Sequence, residues 1–287
     1  MTETATPSNP AVSARGALLD AMRRARPLVQ VITNYVSMDL AANALLAIGA
    51  APAMVHAPEE AAEFARIADA VVVNIGTISQ TFLKGMLAAA AAAREAGKPW
   101  ILDPVGAGAT RYRDDSIGAL IALQPSIVRG NASEIMAVAR IAGLHANRAA
   151  PKGVDSADEV DSARESAVAL ARRFGCAVAV TGAVDLVTDG ARVTRIANGS
   201  ALMTRVTATG CALSAVVGAF AAVTDDGFEA AAAALECYAV AGEIAAESSE
   251  GPGSFRVAFL DRLARIDRDD IFARAKSFPE APGAVGP

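Results

Sequence analysis

Short β-branched runs alternate with longer alanine-rich segments along most of this chain, and that alternation restricts the fold more than any other feature. "LVQVIT" (28–33), "AVVVNIG" (70–76), "PWILDPV" (99–105), "SIVRG" (126–130) and "AVAVTG" (177–182) read as buried strands. The segments that follow, such as "SMDLAANALLAIG" and "QTFLKGMLAAAAAAREAG", have helical length and end at glycine. Parallel strands need crossover connections, so the pattern predicts an α/β chain with three layers, helices covering both faces of a mostly parallel sheet. "DLVTDGARVTRI" adds an antiparallel hairpin around an Asp-Gly turn, and beyond residue 209 the chain is almost wholly helical. Hydrophobic residues make up 53%, enough for one large core, and no linker divides the sequence. The expectation is a single domain over 14–267, with a disordered tail at 1–13, a second tail at 268–287 and a surface loop at 143–158.

Acids and bases are interspersed and the formal net charge is −5. Nucleic-acid surfaces need clustered Lys and Arg, so that class of partner is excluded. Cys176, Cys211 and Cys237 are far apart with no Cys-x-x-Cys pair, which argues against a disulfide framework or a zinc site. The N-terminus lacks the basic and apolar regions of a secretory signal, and no apolar run reaches the roughly 20 residues of a membrane span. A cytoplasmic protein without a membrane partner is expected.

Ligands of open α/β sheets bind beyond the carboxyl ends of the strands, and several strands here end in reactive groups. Asp103 closes one and is followed by the glycine turn "VGAG"; Arg129 closes the next, with Asn131 and Glu134 just after it; Thr181 and Gly182 end a third. Each has a plainer reading. Asp103 could cap its turn, and Asn131 with Glu134 could be a capping box. Together, two carboxylates, an arginine and hydroxyls at one sheet edge suit a Mg²⁺-nucleotide, because Mg²⁺ takes one or two carboxylates plus phosphate oxygens. The stretch "TATGCALSA" supplies a helix start whose free N–H groups suit an anion. It is neither a Walker loop nor Gly-x-Gly-x-x-Gly. Cys211 at its head is either a reacting group or a small space-filling residue.

These stretches, with "ITNYVSMDLAANALLAIGAAPAM", "NIGT", "ILDPVGAGATRYR", "PSIVRGNASEIMA", "VTGAVDLVTDG", "LMTRVTATGCALSAVVGAF" and "GPGSF", run in order from about residue 28 to 263. In this the chain resembles the hydroxyethylthiazole kinases, the thiamine-salvage branch of the ribokinase-like superfamily. Asn-x-x-Glu at 131–134 and Thr-Gly-Cys at 209–211 are the most specific pieces; related kinases carry Asp where Cys211 stands.

The resemblance implies ATP-dependent phosphorylation of the hydroxyl of 4-methyl-5-(2-hydroxyethyl)thiazole, with Mg²⁺ and a homotrimeric assembly whose pockets lie between subunits. It implies that Asp103, Asn131 and Glu134 order Mg²⁺, that Arg129, Thr181 and Thr209 contact ATP, and that Gly210 and Cys211 belong to the catalytic helix start. Asn34, Met54, Gly76 and Ala208 would line the thiazole pocket. Without the resemblance, Met54 reads as core filler. Ala208 departs from the family's usual Gly-Thr-Gly-Cys; it is harmless at negative φ and strained at positive φ. A hydroxymethylpyrimidine kinase, an ATP-dependent dehydratase of hydrated nicotinamide nucleotides and a silent small-molecule binder are the competing readings.

Overall fold

The computed structural model describes residues 10–144 and 156–280. Nine strands form one sheet in the order β2-β1-β3-β4-β5-β6-β7-β8-β9. They are β1 (Leu28–Ile32), β2 (Ala51–Ala53), β3 (Ala70–Asn74), β4 (Trp100–Asp103), β5 (Ile127–Asn131), β6 (Ala177–Thr181), β7 (Asp185–Thr188), β8 (Val193–Ile196) and β9 (Ser277–Pro279). The strands from β2 to β6 in this order are parallel, and β6 to β9 pair antiparallel. All five strands read from the sequence are present, and the Asp-Gly segment is the β7–β8 hairpin.

Side chains alternate across the strands, so each strand feeds two cores. Val29, Val31, Val72 and Ile101 face one way, toward α1 (Pro10–Ala25), α2 (Met38–Ile48), α8 (Thr209–Ala221), α9 (Gly227–Glu247), α10 (Pro252–Arg265) and α11 (Arg268–Arg274). Ile32, Val71, Val73 and Leu102 face the other way, toward α3 (Ala61–Ile67), α4 (Gln80–Glu95), α5 (Arg111–Ile121), α6 (Ala132–Ile141) and α7 (Ser156–Phe174). The three-layer α/β/α architecture follows from this two-sided burial. Small residues let the layers close: a Cβ at Gly218 of α8 would lie 2.6 Å from Val72. Among the described residues no helix is long and apolar enough to cross a membrane.

Both expected tails need correction. Helix α1 begins at Pro10, and Val12 is buried in the first core, so residues 10–13 belong to the fold. The C-terminal segment is folded as far as Glu280: Ile271 of α11 is buried, and β9 extends the sheet beside β8. The capping signal at Asp267, whose side chain accepts from Asp270 N–H, was hidden among charges that read as tail. Strand β2, the short apolar strand before Met54, pairs only as an edge, where its proline is tolerated. Residues 145–155, most of the expected surface loop, and the termini 1–9 and 281–287 lie outside the described residues.

Candidate active site

The strand order reverses at β1, which has β2 on one side and β3 on the other. Such a switch point opens a crevice beyond the carboxyl ends of the strands. Asn34 and Gly76 follow β1 and β3 and meet there. Asn34 is 5% exposed, and its side-chain oxygen accepts from the N–H groups of Val36 and Ser37, both at 3.1 Å. Its Nδ2 donates to Asn74 Oδ1 at 2.9 Å and to Cys211 Sγ at 3.4 Å. Asn74 ends β3, beside Asp103 in the register, and donates to Asp103 Oδ2 at 2.6 Å. Ser214 Oγ donates to the same oxygen at 2.8 Å. One hydrogen-bonded chain therefore links the Cys211 thiol to Asp103 through two amides.

Asp103 is fully buried, and its Oδ1 has no protein partner. Burial pushes its carboxyl up to about 6; the nearby Glu134 charge adds to this, while Arg129, Ser214 and Asn74 oppose it. The Arg129 guanidinium lies 3.9 Å from Asp103 Oδ2. It donates to Thr181 Oγ1 at 2.7 Å and to Gly210 O at 3.1 Å. Arg129 thus ties the tips of β4 and β6 to the start of α8.

Helix α8 begins without a side-chain cap. Ala208 stands at its N-cap with φ +66° and ψ +2°, and accepts from Ala212 N–H at 2.9 Å. Helical geometry leaves the N–H groups of Thr209, Gly210 and Cys211 without intrahelical partners, so they are available to an anion. The turn is anchored from below, where the buried Tyr238 hydroxyl donates to Thr209 O at 2.8 Å and Thr209 Oγ1 donates to Val206 O at 2.7 Å. The positive φ at Ala208 answers the question its sequence raised: the backbone is in the region that favours glycine. Burial raises the Cys211 thiol, and the Asp103 charge adds to it; the amides of Asn34 and Asn74 and the Arg129 charge oppose this. The protonated thiol is the neutral-pH form.

Asn131 and Glu134 do form the capping box of α6: Asn131 Oδ1 accepts from Glu134 N–H at 2.9 Å, and Glu134 Oε2 accepts from Asn131 N–H at 2.9 Å. Glu134 Oε1 also accepts from Gly106 N–H at 3.0 Å, which fastens the turn after β4 to the site. Met54 stands apart. It follows the edge strand β2, half-buried against the first core, outside this hydrogen-bonded cluster.

A cavity of about 580 Å³ opens beside the cluster. Arg129, Thr181, Thr209 and Gly210 line it, together with Asp185 and Tyr238. Burial pushes Asp185 up to about 7, against the Gly182 N–H it accepts and the Arg129 charge. A larger cavity, about 910 Å³, lies at the opposite end of the sheet between Gly97, Ser126, Cys176 and Asp226. It contains none of the strand-tip groups, so the smaller cavity is the candidate nucleotide site.

Sequence reading missed Asn74, Ser214, Tyr238 and Asp185. Asn74 was visible in principle, as an amide closing an otherwise apolar strand. Ser214 lies three residues after Cys211, on the same helix face. Tyr238 gave no signal, because its partner is a distant backbone carbonyl.

The hydroxyethylthiazole kinase family model matches residues 19–269. The chain is 56% identical over 262 residues to the hydroxyethylthiazole kinase of Rhizobium johnstonii, covering 91% of this chain and 96% of that protein. The solved structure of a hydroxyethylthiazole kinase protein from Pyrococcus horikoshii OT3 superposes with a TM-score of 0.86 at 41% identity, over 93% of this chain and 99% of that one. A ribokinase-like superfamily protein from Enterococcus faecalis V583 shares the fold, with a TM-score of 0.55 at 11% identity, over 91% of this chain and 84% of that one. The chain belongs to the hydroxyethylthiazole kinase family.

Proposed function

We propose that this kinase transfers the γ-phosphoryl group of ATP to the hydroxyl of hydroxyethylthiazole at the start of α8. Family membership carries the activity. The observation that carries the site is the convergence of Arg129, Thr181 and the free N–H groups of α8 at one wall of the 580 Å³ cavity. Phosphoryl transfer passes through a loose transition state, so positioning and charge stabilisation do most of the work. Arg129 and the N–H groups of Gly210 and Cys211 meet the negative charge that develops on the transferring group. Asn34 and Gly76 form the acceptor side, with Cys211 between them and the phosphates. Ala208 and, more remotely, Met54 complete the pocket in this reading.

The donor set fits Mg²⁺. Asp103 Oδ1 is buried and unpartnered, and each Glu134 oxygen receives only one backbone N–H. Among the described residues no three His, Cys, Asp or Glu side chains form a direct metal cluster, which suits an ion that keeps its waters. Asp103, Asn131 and Glu134 would hold the ion through those waters, and the ion when bound neutralises charge on the phosphates. Asn74 and Ser214 keep the other Asp103 oxygen oriented, leaving Oδ1 as the oxygen that would serve the ion. Cys211, protonated at neutral pH, is a weak proton acceptor and acts mainly by placing the hydroxyl.

Tyr35 and Val36, 68% and 59% exposed, directly follow the buried Asn34. These apolar groups beside the acceptor pocket support a homotrimer in which a neighbouring subunit covers it. The use of ATP as phosphoryl donor supports a cytoplasmic location in this reading. ADP release from Mg²⁺-ATP, measured in parallel with hydroxyethylthiazole and hydroxymethylpyrimidine, tests the proposal. Turnover with the thiazole alone is expected; turnover with the pyrimidine alone, or with neither in folded protein, would overturn it.

A further inference from the structure

Arg113 extends from the first turn of α5 to a position beneath the acceptor side of the cluster. Its Nη1 donates to Ile75 O at 2.7 Å and to Val105 O at 2.8 Å, and its Nη2 donates to Gly76 O at 2.6 Å. Those three carbonyls come from two loops. Ile75 and Gly76 form the turn after β3, against which Asn34 is seated. Val105 lies in the turn after β4, where the next residue, Gly106, gives its N–H to Glu134. The last backbone bond between these two strands is Ile75 N–H to Asp103 O, a long 3.3 Å. Beyond it, the guanidinium takes over the joining of the two turns.

The partners matter as much as the distances. All three are neutral carbonyls, and among the described residues no carboxylate lies within ion-pair distance of Arg113. The neighbouring Asp114 instead caps Gly108 N–H at 2.8 Å. A planar guanidinium presents its donors in a fixed fork, so it sets the spacing of what it binds, which a single ammonium cannot do. Gly106 has φ +73°, and a Cβ there would lie 3.4 Å from Arg113 Nε, so the turn wraps closely around the fork.

We propose that Arg113 is a positioning residue for phosphoryl transfer. It touches no substrate; it fixes the distance between the acceptor-side turn at Gly76 and the metal-side turn at Gly106. This rests on the reading of Asn34 and Gly76 as the acceptor wall. Reacting groups displaced by about 1 Å can cost about 100-fold in rate. Loss of the clamp therefore acts on the chemical step and on the alcohol, and spares the nucleotide cavity lined by Arg129 and Thr181.

The test compares Arg113→Ala, Arg113→Lys and Asn34→Ala with the unmodified enzyme. The readouts are kcat, KM for the thiazole alcohol, ATP affinity by calorimetry, and melting temperature. Arg113→Ala is expected to lose about 100-fold in kcat, with a raised KM for the alcohol and unchanged ATP affinity. Guanidinium ion at low millimolar concentration is expected to restore part of that rate in Arg113→Ala and none in the unmodified enzyme. Arg113→Lys should stay impaired, and it carries the same test if the alanine variant does not fold. Unmodified kinetics in a folded Arg113 variant would overturn the clamp, as would equal losses of rate and ATP affinity without guanidinium rescue. Asn34→Ala separates the two claims. If it raises the alcohol KM while Arg113→Ala does not, the clamp alone fails; if neither variant affects the alcohol, the acceptor wall itself is misplaced.

Discussion

Gly76 and Asn34 approach so closely that a Cβ at residue 76 would lie 2.5 Å from Asn34 Nδ2 and 2.8 Å from Asn34 Cβ. The asparagine cannot give way easily, because its amide is held by Asn74, Val36 and Ser37. Gly76→Ala should therefore displace the amide that faces Cys211. The expected outcome is a raised KM for the thiazole alcohol with ATP affinity intact, checked by steady-state kinetics and calorimetry. An unchanged alcohol KM would show that Asn34 does not line the acceptor site.

Ala208 holds a left-handed backbone that costs a non-glycine residue about 1–2 kcal/mol. Ala208→Gly removes that strain and leaves the α8 donors in place. A rise in Tm of about 2 °C is expected, with kcat kept or improved, whereas a β-branched Ala208→Val should lower both. Differential scanning calorimetry on the pair decides it.

Cys211 is the clearest case of a residue that sequence singled out and structure qualified. Its raised thiol makes it a poor base at neutral pH. Cys211→Ala should lose no more than the general-base share of about 10²–10⁴-fold, and Cys211→Asp should remain active. Alkylation offers a second check. Cys176 and Cys237 are buried, so Cys211 is the accessible thiol among the described residues. Its reaction with iodoacetamide should titrate above the usual cysteine value of about 8.5 and slow when ATP is bound.

Asp103 is ionised at neutral pH at a cost. Its folded-state value of about 6 lies above its ordinary value of 3.8, so the folded chain holds the proton more tightly. Its contribution to stability is therefore most favourable below 3.8 and declines as pH rises through about 6. In Mg²⁺-free protein, Asp103→Asn should be more stable at neutral pH by roughly 2–3 kcal/mol, should lose that advantage near pH 4, and should be inactive. Thermal melts across pH give the answer; a variant that is less stable at pH 7 would contradict the assigned burial cost.

Much of this was legible beforehand, for physical reasons. Continuous β-branched runs and helix-length crossovers are local signals, and they located β1, β3, β4, β5 and β6 and the layers around them. Asp103 and Thr181 were visible because they close apolar strands at the crevice, and Arg129 because it is a charge inside the apolar run of β5. The Asn74 amide bridge and the Tyr238 anchor depend on which distant segments the sheet order brings together. The folded C-terminal arm was missed because its few apolar residues, of which Ile271 is the buried anchor, are interleaved with charges. Asn131 and Glu134 show the opposite effect: the capping reading and the site reading use the same side chains, and geometry satisfies the first without opposing the second.

The most direct measurement is a structure of the protein with Mg²⁺, a non-hydrolysable ATP analogue and hydroxyethylthiazole. The terminal phosphate should sit on the N–H groups of Gly210 and Cys211, with Arg129 beside it and the thiazole hydroxyl between Asn34 and Cys211. A nucleotide in the cavity near Ser126 and Asp226, or a thiazole away from Asn34, would contradict the assignment.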